Sequence, residues 1–546
     1  MPRKFNRFGS FGLEKIMRQS SLVTAAALLT AGMALGPSPV SGQGADQQLG
    51  NVHFATTCNE TAQRRFDRAM RYQHSFWYSA AREIFEEAAK ADAACGIAYW
   101  GIALSLLSNP HGPIPAPDLP AGLAAIQKAK SVGANSERER DYIDALTLMY
   151  ADYEKLTHTQ RIRSYLGAME KLASKYPDDD EAQIFYAITL NTSASPADKT
   201  YAQQLKGAAI LEPIWTRQPQ HPGIAHYLIH LYDYPAIADK GLIAARRYAQ
   251  IAPAAPHAQH MPSHIFTRVG SWQDSIASNA ASVKAAVPAK EFTEQFHGRD
   301  YMVYAYLQLA RDSEARSVVD DIIAAPPPAP AARAAFFALA SSPARYAIER
   351  QDWGAAAELK VTPSAFGEAM AQTHFARALG AARSGKIDAA KADIAKLAAL
   401  RDRLREEKNA YWAEQVDIQW QVGSAWLLNA EGKSDEALRM MSAASDTEDK
   451  TEKSPVTPGP LAPVRELYGQ MLLQNGKAQE ALAAFEATKA KEPNRYLGYA
   501  GAAEAADKAG DKAKARDNYQ KLLALVAGAA VERPELAAAK KYLASN

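Results

Sequence analysis

The stretch LAPVRELYGQMLLQNGKAQEALAAFEATKAKEPN, residues 461–494, decides the fold. Its small residues Gly469 and Ala481 allow two helices to cross closely, and Phe485 is large enough to fill the space between them. Pro493 ends the second helix, because proline cannot continue a helical hydrogen-bond ladder. The segment therefore predicts two antiparallel helices joined by a short turn.

Similar units recur along the chain, with small and aromatic residues at matching places. They are marked by Ala81 and Phe85, Leu172 and Pro177, Trp353 and Ala356, Gly385 and Ala390, Gly432 and Ala437, and Ala515 and Tyr519. A period of about 34 residues is that of the tetratricopeptide repeat. A chain of 546 residues is too long for one compact core, whereas each repeat of a solenoid packs only on its neighbours. We therefore predict an all-α solenoid of stacked helix-turn-helix repeats.

The N-terminus has the pattern of an export signal. Basic residues precede an apolar run over 22–35, which is too short to span a bilayer comfortably and fits the apolar part of a signal peptide. We predict a signal peptide over 1–42 and a periplasmic location. An uncleaved membrane anchor is the alternative, and Met17 is an alternative start. No later segment is apolar enough to cross a membrane.

Proline-rich and polar breaks divide the rest of the chain. The run APPPAPA at 324–330 cannot be helical throughout, so it separates an N-terminal half, 43–323, from a C-terminal half, 331–546. A polar, proline-bearing segment at 445–460 predicts a loop inserted between repeats of the C-terminal half. A third non-helical stretch is expected over 109–120, where five prolines accompany a histidine.

The chain has two cysteines, Cys58 and Cys95. In an oxidising compartment they are expected to form one disulfide, which would tie the N-terminal segment to the first helical hairpin. The alternative is two buried thiols. The net charge is +2 with 22% charged residues, so composition gives no argument for binding nucleic acid or an anionic membrane.

Histidines are concentrated in one segment of the chain. Of the twelve, seven lie between His221 and His297. Two pairs stand out: His226 with His230, and His260 with His264. Each pair has the spacing i, i+4, which puts both imidazoles on one face of a helix. The second pair follows the first at the period of the repeat, so the four rings are expected at matching places on adjacent hairpins.

Further polar residues fall at related positions of these repeats. In tetratricopeptide proteins, the second, fifth, ninth, twelfth and thirteenth residues of the first helix line the concave groove, and that likeness places the histidine pairs there. The same frame assigns six more residues to the groove as candidate ligand-binding residues: Asp233, His257, Arg268, His297, Asp300 and Tyr304. A peptide, a protein partner or a small polar ligand in the groove is therefore one expectation.

A transition metal is another. Imidazoles suit zinc, copper or iron better than calcium or magnesium, and a carboxylate nearby could orient a ligand. The metal ligands would be His226, His230, His260 and His264. Pro262 lies inside the second pair, and the i, i+4 alignment fails there if a helix begins at that proline. No HExxH motif accompanies the pairs. A structural hydrogen-bond network of histidine, tyrosine and aspartate remains the third interpretation.

Several phrases resemble a set of exported bacterial tetratricopeptide repeat proteins. They are CGIAYWGIALSLLSNP, HPGIAHYLIHLYDYP, PHAQHMPSHIFTRVGSW and the segment from Pro455 to Tyr496. The resemblance implies the fold and export and gives no activity. No nucleophile elbow, phosphate loop or dinucleotide fingerprint is present, and no catalytic residue is assigned. The sequence therefore predicts an exported binding or scaffold solenoid, with a metal-dependent hydrolase or oxidoreductase as the alternative.

Overall fold

A computed structural model of the chain describes residues 48–326, 328–329, 332–529 and 533–545. Within these ranges the regular structure is helical, and no strand occurs. The predicted all-α solenoid is therefore confirmed. The predicted signal peptide, its cleavage region and Met17 lie outside the described residues. No helix in the described ranges has the length and apolar character needed to cross a bilayer.

The helices follow one another in pairs. The N-terminal part contains α1 (Glu60–His74), α2 (Tyr78–Ala91), α3 (Gly96–Leu106), α4 (Asp118–Val132), α5 (Glu137–Tyr150), α6 (His158–Lys175), α7 (Asp180–Ser193), α8 (Ala202–Arg217), α9 (Pro222–Tyr232), a 3-10 helix (Ala238–Gly241), α10 (Leu242–Ile251), α11 (Pro256–His260), α12 (Pro262–Arg268), α13 (Trp272–Ala289), α14 (Phe292–Gln308) and α15 (Asp312–Ala324).

The second part continues the same order. It contains α16 (Arg333–Glu349), α17 (Trp353–Ala357), α18 (Gly367–Arg383), α19 (Ile387–Glu406), α20 (Ala410–Ala430), α21 (Ser434–Glu448), α22 (Val464–Gln474), α23 (Ala478–Lys491), α24 (Tyr496–Lys508), α25 (Lys512–Leu525) and α26 (Pro534–Ser545). One large buried core spans residues 49–266 and another spans 310–542.

Packing inside a repeat follows from the residues that define it. Phe485 on α23 is buried between the preceding and the following helix. A Cβ atom added at Gly501 would lie 2.3 Å from this ring, and one added at Gly469 would lie 2.9 Å from it. Glycine at both places lets three helices close around one aromatic side chain.

The predicted breaks occur with shifted boundaries. Helix α21 continues to Glu448, so the loop expected over 445–460 covers 449–463 instead. Helix α4 begins at Asp118, within the stretch 109–120 that was expected to be non-helical. Pro120 is tolerated there because the first turn of a helix has no amide partners to lose.

The disulfide between Cys58 and Cys95 is present, with a sequence separation of 37 residues. It joins the segment before α1 to the residue that precedes α3. Replacing both cysteines with alanine is expected to lower the free energy of unfolding by about 2–4 kcal/mol, because the cross-link restricts the unfolded chain. Urea denaturation of the oxidised protein and the double variant measures the difference. Equal stability of the two would contradict this expectation.

Candidate metal centre

Two consecutive hairpins and the helix that follows them carry the histidines of the site. His226 and His230 lie one turn apart on α9, which begins at Pro222 without strain because proline suits the first helical position. His257 and His260 lie on α11, and His264 lies on α12. A fourth helix, α14, contributes His297. Four helices therefore direct their histidines toward one interior region.

The second pair keeps its alignment despite Pro262. The chain does break into two short helices at this point, with the proline at the start of α12. Met261, between the two helices, has helical dihedral angles (φ −54°, ψ −36°), so the helical path continues through the break. The Nε2 atoms of His260 and His264 are therefore 3.0 Å apart. The alignment failure anticipated from a helix start at this proline does not occur.

Six imidazoles form two groups of three. One group is His226, His230 and His257, and the other is His260, His264 and His297. In each group one nitrogen from every ring lies within 4.8 Å of the other two. The structure thus brings together all four histidines predicted as metal ligands, and it adds His257 and His297 from the predicted ligand-binding set.

The remaining nitrogen of four rings has a hydrogen-bond acceptor. The Nδ1–H groups of His226, His257, His260 and His264 donate to the carbonyl oxygen of His74 (2.7 Å), Glu294 Oε1 (3.1 Å), Asn279 Oδ1 (2.6 Å) and Asp233 Oδ2 (2.8 Å). Such outer partners fix the tautomer and the ring orientation of metal-binding histidines. In all four rings the lone pair is then on Nε2.

The pair of His260 and His264 shows an electrostatic conflict. Asn279 donates its own amide hydrogen to the carbonyl of Ser275 (2.8 Å), so its oxygen faces His260 and requires a proton on that Nδ1. The carboxylate of Asp233 likewise requires a proton on His264 Nδ1. Two neutral rings held this way direct lone pairs at each other over the 3.0 Å between their Nε2 atoms.

Burial opposes the simplest relief of this conflict, which is protonation of one ring. Both residues are at most 1% exposed. Burial, followed by the neighbouring imidazole, lowers the pKa of His260 to about 3. Burial also lowers the pKa of His264 to about 4, although Asp233 acts in the opposite direction. At neutral pH both rings are therefore uncharged, and a cation between the two nitrogens would remove the repulsion.

Phe76 forms one wall of the first histidine group. Its ring centroid lies 4.3 Å from that of His226, 5.6 Å from that of His230 and 5.4 Å from that of His257. The residue has φ of 55° and stands two positions after the end of α1. The corresponding turn position is glycine in five other repeats: Gly270, Gly385, Gly432, Gly476 and Gly510. Ser108, Asp152, Ala310 and Gln351 have the same backbone conformation at this place, so the positive φ belongs to the repeat turn, and Phe76 differs from these residues in its aromatic side chain.

A seventh histidine reaches the first group from the non-helical segment between α3 and α4. The ring centroids of His111 and His230 are 4.2 Å apart. Burial, followed by His264, lowers the pKa of His111 to about 4. Its Nε2 atom is buried and has no hydrogen-bond partner among the described residues. His111 is thus a neutral imidazole at the edge of the site.

The loop 449–463 covers the site from the other half of the chain. Lys453 donates to Asp233 Oδ2 (3.1 Å), and Arg268 donates to Asp233 Oδ1 (2.8 Å). Tyr301 donates its hydroxyl hydrogen to the carbonyl of Thr457 (3.1 Å), and the same oxygen lies 3.4 Å from His264 Nε2. Burial by itself raises the pKa of Asp233, but Lys453 and Arg268 hold it well below the ordinary value. The carboxylate that orients His264 is therefore ionised.

Two residues of the predicted ligand-binding set have other partners. Asp300 accepts hydrogen bonds from Ser341 (2.9 Å) and Ser342 (3.0 Å) on α16. Tyr304 accepts a hydrogen bond from Arg495 (2.7 Å). Both lie on α14, but Tyr301 is the tyrosine of that helix that reaches the histidines.

A third group, His74, Glu181 and His221, supports the first. His74 and His221 both hydrogen-bond to the carboxylate of Glu181, at 3.0 and 2.9 Å. The Nε2 atom of each ring therefore already has a partner. This network fixes the end of α1, where the backbone carbonyl of His74 accepts a hydrogen bond from His226 Nδ1. Gly223 is needed for the approach, because a Cβ atom there would lie 2.5 Å from His74 Nδ1.

Sequence reasoning missed several residues of the site: Phe76, His111, Asn279, Glu294, Tyr301 and Lys453. For Phe76 a signal existed, since an aromatic residue replaces the glycine usual at the repeat turn. For His111 the signal was a histidine among the prolines of 109–120. The sequence carries no such signal for Lys453, because this residue lies in a loop, 220 residues from Asp233.

Replacing Asp233 with asparagine should weaken metal binding about 10- to 100-fold, because the acceptor that orients His264 loses its charge. Isothermal titration with zinc or copper gives the affinity of each site. The matched control is Asp393→Asn, which alters a histidine–aspartate pair of the C-terminal half, His374 Nδ1 to Asp393 Oδ1 at 2.7 Å. Equal losses in the two variants would contradict the assigned role of Asp233.

Comparison with known proteins carries no argument about the function. No known family and no curated protein matches the sequence. Among solved structures, human IFIT1 with m7Gppp-AAAA is 10% identical (TM-score 0.33), covering 79% of this chain and 90% of that one. Cut9 from the Cut9–Hcn1 complex is 12% identical (TM-score 0.30), covering 88% and 90%. The TPR domain of P58(IPK) is 11% identical (TM-score 0.21), covering 89% and 99%.

Proposed function

We propose that this protein is a transition-metal-binding solenoid that holds two ions in its interior, each by three imidazoles. One ion is bound by His226, His230 and His257, and the other by His260, His264 and His297. Each group supplies the donor number typical of an open metal site in proteins. The six ligands are neutral nitrogen donors, which suit copper, zinc or iron.

The main support for this proposal is that the Nε2 atoms of His260 and His264 face each other with a lone pair on each. Their tautomers are set by an amide oxygen and a carboxylate, so no hydrogen is available between nitrogens 3.0 Å apart. A purely structural network would instead place a donor opposite an acceptor. In the first group, by contrast, His230 Nε2 can donate to His226 Nε2 over 3.1 Å when no metal is bound.

Metal analysis of tag-free protein tests the proposal. We expect two transition-metal ions per chain after loading and gel filtration, measured by plasma mass spectrometry and native mass spectrometry. His230→Ala and His264→Ala should each retain one ion, because each removes a ligand from a different group. His374→Ala, which changes a histidine outside both groups, should retain two.

Folding is checked separately by circular dichroism and by thermal unfolding of each variant. A well-folded wild-type chain that binds no stoichiometric metal would refute the proposal. So would variants that fold normally and keep both ions. His264→Gln, which keeps a polar side chain of similar length, provides a second measurement in case an alanine variant does not fold.

Binding of a peptide or protein segment is the second candidate function. A cavity of about 80 Å³, which is room for one side chain of a bound segment, lies between the loop 449–463 and helices α18 and α20. Gln415 Nε2 and Gln419 Oε1 line it and have no hydrogen-bond partner among the described residues. Amide groups in this state suit the backbone of a bound peptide. Co-purification of a peptide that Gln415→Ala and Gln419→Ala abolish would support this role.

Export to the periplasm is proposed from the sequence pattern of 1–42. The disulfide between Cys58 and Cys95 supports it, because such bonds persist in oxidising compartments. Mass spectrometry of the protein from a periplasmic extract should give a mature N-terminus near Gln43. An intact N-terminus in a membrane fraction would instead indicate an uncleaved anchor.

A further inference from the structure

The two histidine groups adjoin each other. The ring centroids of His230 and His264 are 6.3 Å apart, and those of His257 and His260 are 6.1 Å apart. In each of these two pairs the rings belong to different groups, so the groups are adjacent. Ions held there would be neighbours.

Each carboxylate around the groups has partners on at least one oxygen, while Glu294 Oε2 and Asp300 Oδ2 have no hydrogen-bond partner among the described residues. Asp233 contacts His264, Arg268 and Lys453. Glu294 accepts from His257, and Asp300 accepts from two serines. Both groups that could hold an ion here consist of histidine alone among the described residues. Three imidazoles leave coordination positions open, where a small ligand from outside the protein can bind.

That outside ligand must be small. His226 and His260 are 0% exposed, and the most exposed of the six proposed ligands, His257, has 15% of its side chain exposed. Phe76 packs against the first group, while Lys453 and Thr457 of the loop contact residues beside the second. A peptide, sugar or nucleotide is too large to reach rings buried to this degree, so the ligand is taken to be a diatomic molecule.

Copper is the ion that these donors favour. Imidazole sites bind divalent copper more tightly than the other first-row ions. Three neutral nitrogen ligands also suit monovalent copper, which accepts a low coordination number.

We propose that the two groups together hold a pair of copper ions that bind one molecule of dioxygen between them. This inference rests on the proposed metal-binding function and adds the identity of the metal and of the small ligand. In the binding step each Cu(I) loses one electron and becomes Cu(II). Dioxygen accepts the two electrons and bonds to both ions, its O–O bond stays intact, and no proton is transferred.

The experiment uses the full chain loaded anaerobically with two equivalents of Cu(I). Copper content is first measured by a chelator assay after unfolding. On exposure to dioxygen, we expect an intense near-ultraviolet charge-transfer band and no EPR signal, because two adjacent Cu(II) ions couple their spins. Carbon monoxide, which binds Cu(I), should prevent the band from appearing.

Single-group variants provide the decisive comparison. His230→Ala and His264→Ala should each keep one copper and lose the band completely, and any Cu(II) formed should be visible by EPR. His374→Ala should keep two coppers and the full band. Two coppers per wild-type chain without a band, or with separate EPR signals, would overturn this inference and leave metal binding intact. Binding of zinc but not copper would also overturn it, whereas absence of any metal would refute the proposed function itself.

Discussion

Replacing Arg495 with alanine is expected to lower the free energy of unfolding by about 5 kcal/mol, because it leaves two buried carboxylates without a counter-ion. The guanidinium is 0% exposed and lies 2.7 Å from Glu349 and 2.8 Å from Glu466, both of which are also fully buried. It further donates to Tyr304 on α14 (2.7 Å). Arg495 therefore connects the C-terminal repeats to the helix that carries His297.

Urea denaturation followed by circular dichroism measures the loss. The control is Arg403→Ala, which breaks an ion pair with Glu407 whose side chains are 51% and 44% exposed. That variant should change stability by less than about 0.5 kcal/mol, since exposed pairs contribute little. Combining Arg495→Met with Glu349→Gln and Glu466→Gln should recover part of the loss, because it removes the buried charges. A loss below about 1 kcal/mol in Arg495→Ala would contradict this account.

The repeat and the histidine pairs could be predicted because both depend on local spacing. A small residue, an aromatic residue and a terminating proline determine each hairpin, and the i, i+4 spacing determines that the imidazoles of His226 and His230 converge. The same period placed His257 and His297 near the pairs. Helical geometry over a few residues was sufficient for these predictions.

The enclosure of the site was not predictable in this way. An open groove was expected, but the loop 449–463 reaches the site, where the Lys453 side chain donates to Asp233 and the Thr457 carbonyl accepts from Tyr301. Loop conformation depends on contacts with distant residues, and no local rule links Lys453 to Asp233. Phe76 and His111 were missed for a related reason, since an irregular turn and a proline-rich segment have no period from which to infer a direction.

Acid is expected to unfold the metal-free protein over a narrow range below neutral pH. Burial lowers the folded-state pKa of His260 to about 3 and that of His264 to about 4, whereas the ordinary value is 6.5. The unfolded chain therefore binds more protons than the folded chain once the pH falls below 6.5. The free energy that the neutral rings contribute to folding is fully present above pH 6.5. It is lost as the pH falls toward the folded-state pKa values.

The size of the effect follows from the two values. At pH 4.5 these two histidines alone should reduce the free energy of unfolding by about 5 kcal/mol, which is comparable with the whole stability of many domains. Burial also lowers the pKa of His226, His230 and His297, so they add to the loss in the same direction. Urea denaturation at a series of pH values measures it. Bound metal should shift the loss to lower pH, because protons must then displace the ion from the imidazoles. A stability that stays constant from pH 7 to pH 4.5 in the metal-free protein would contradict the burial of neutral imidazoles on which the site depends.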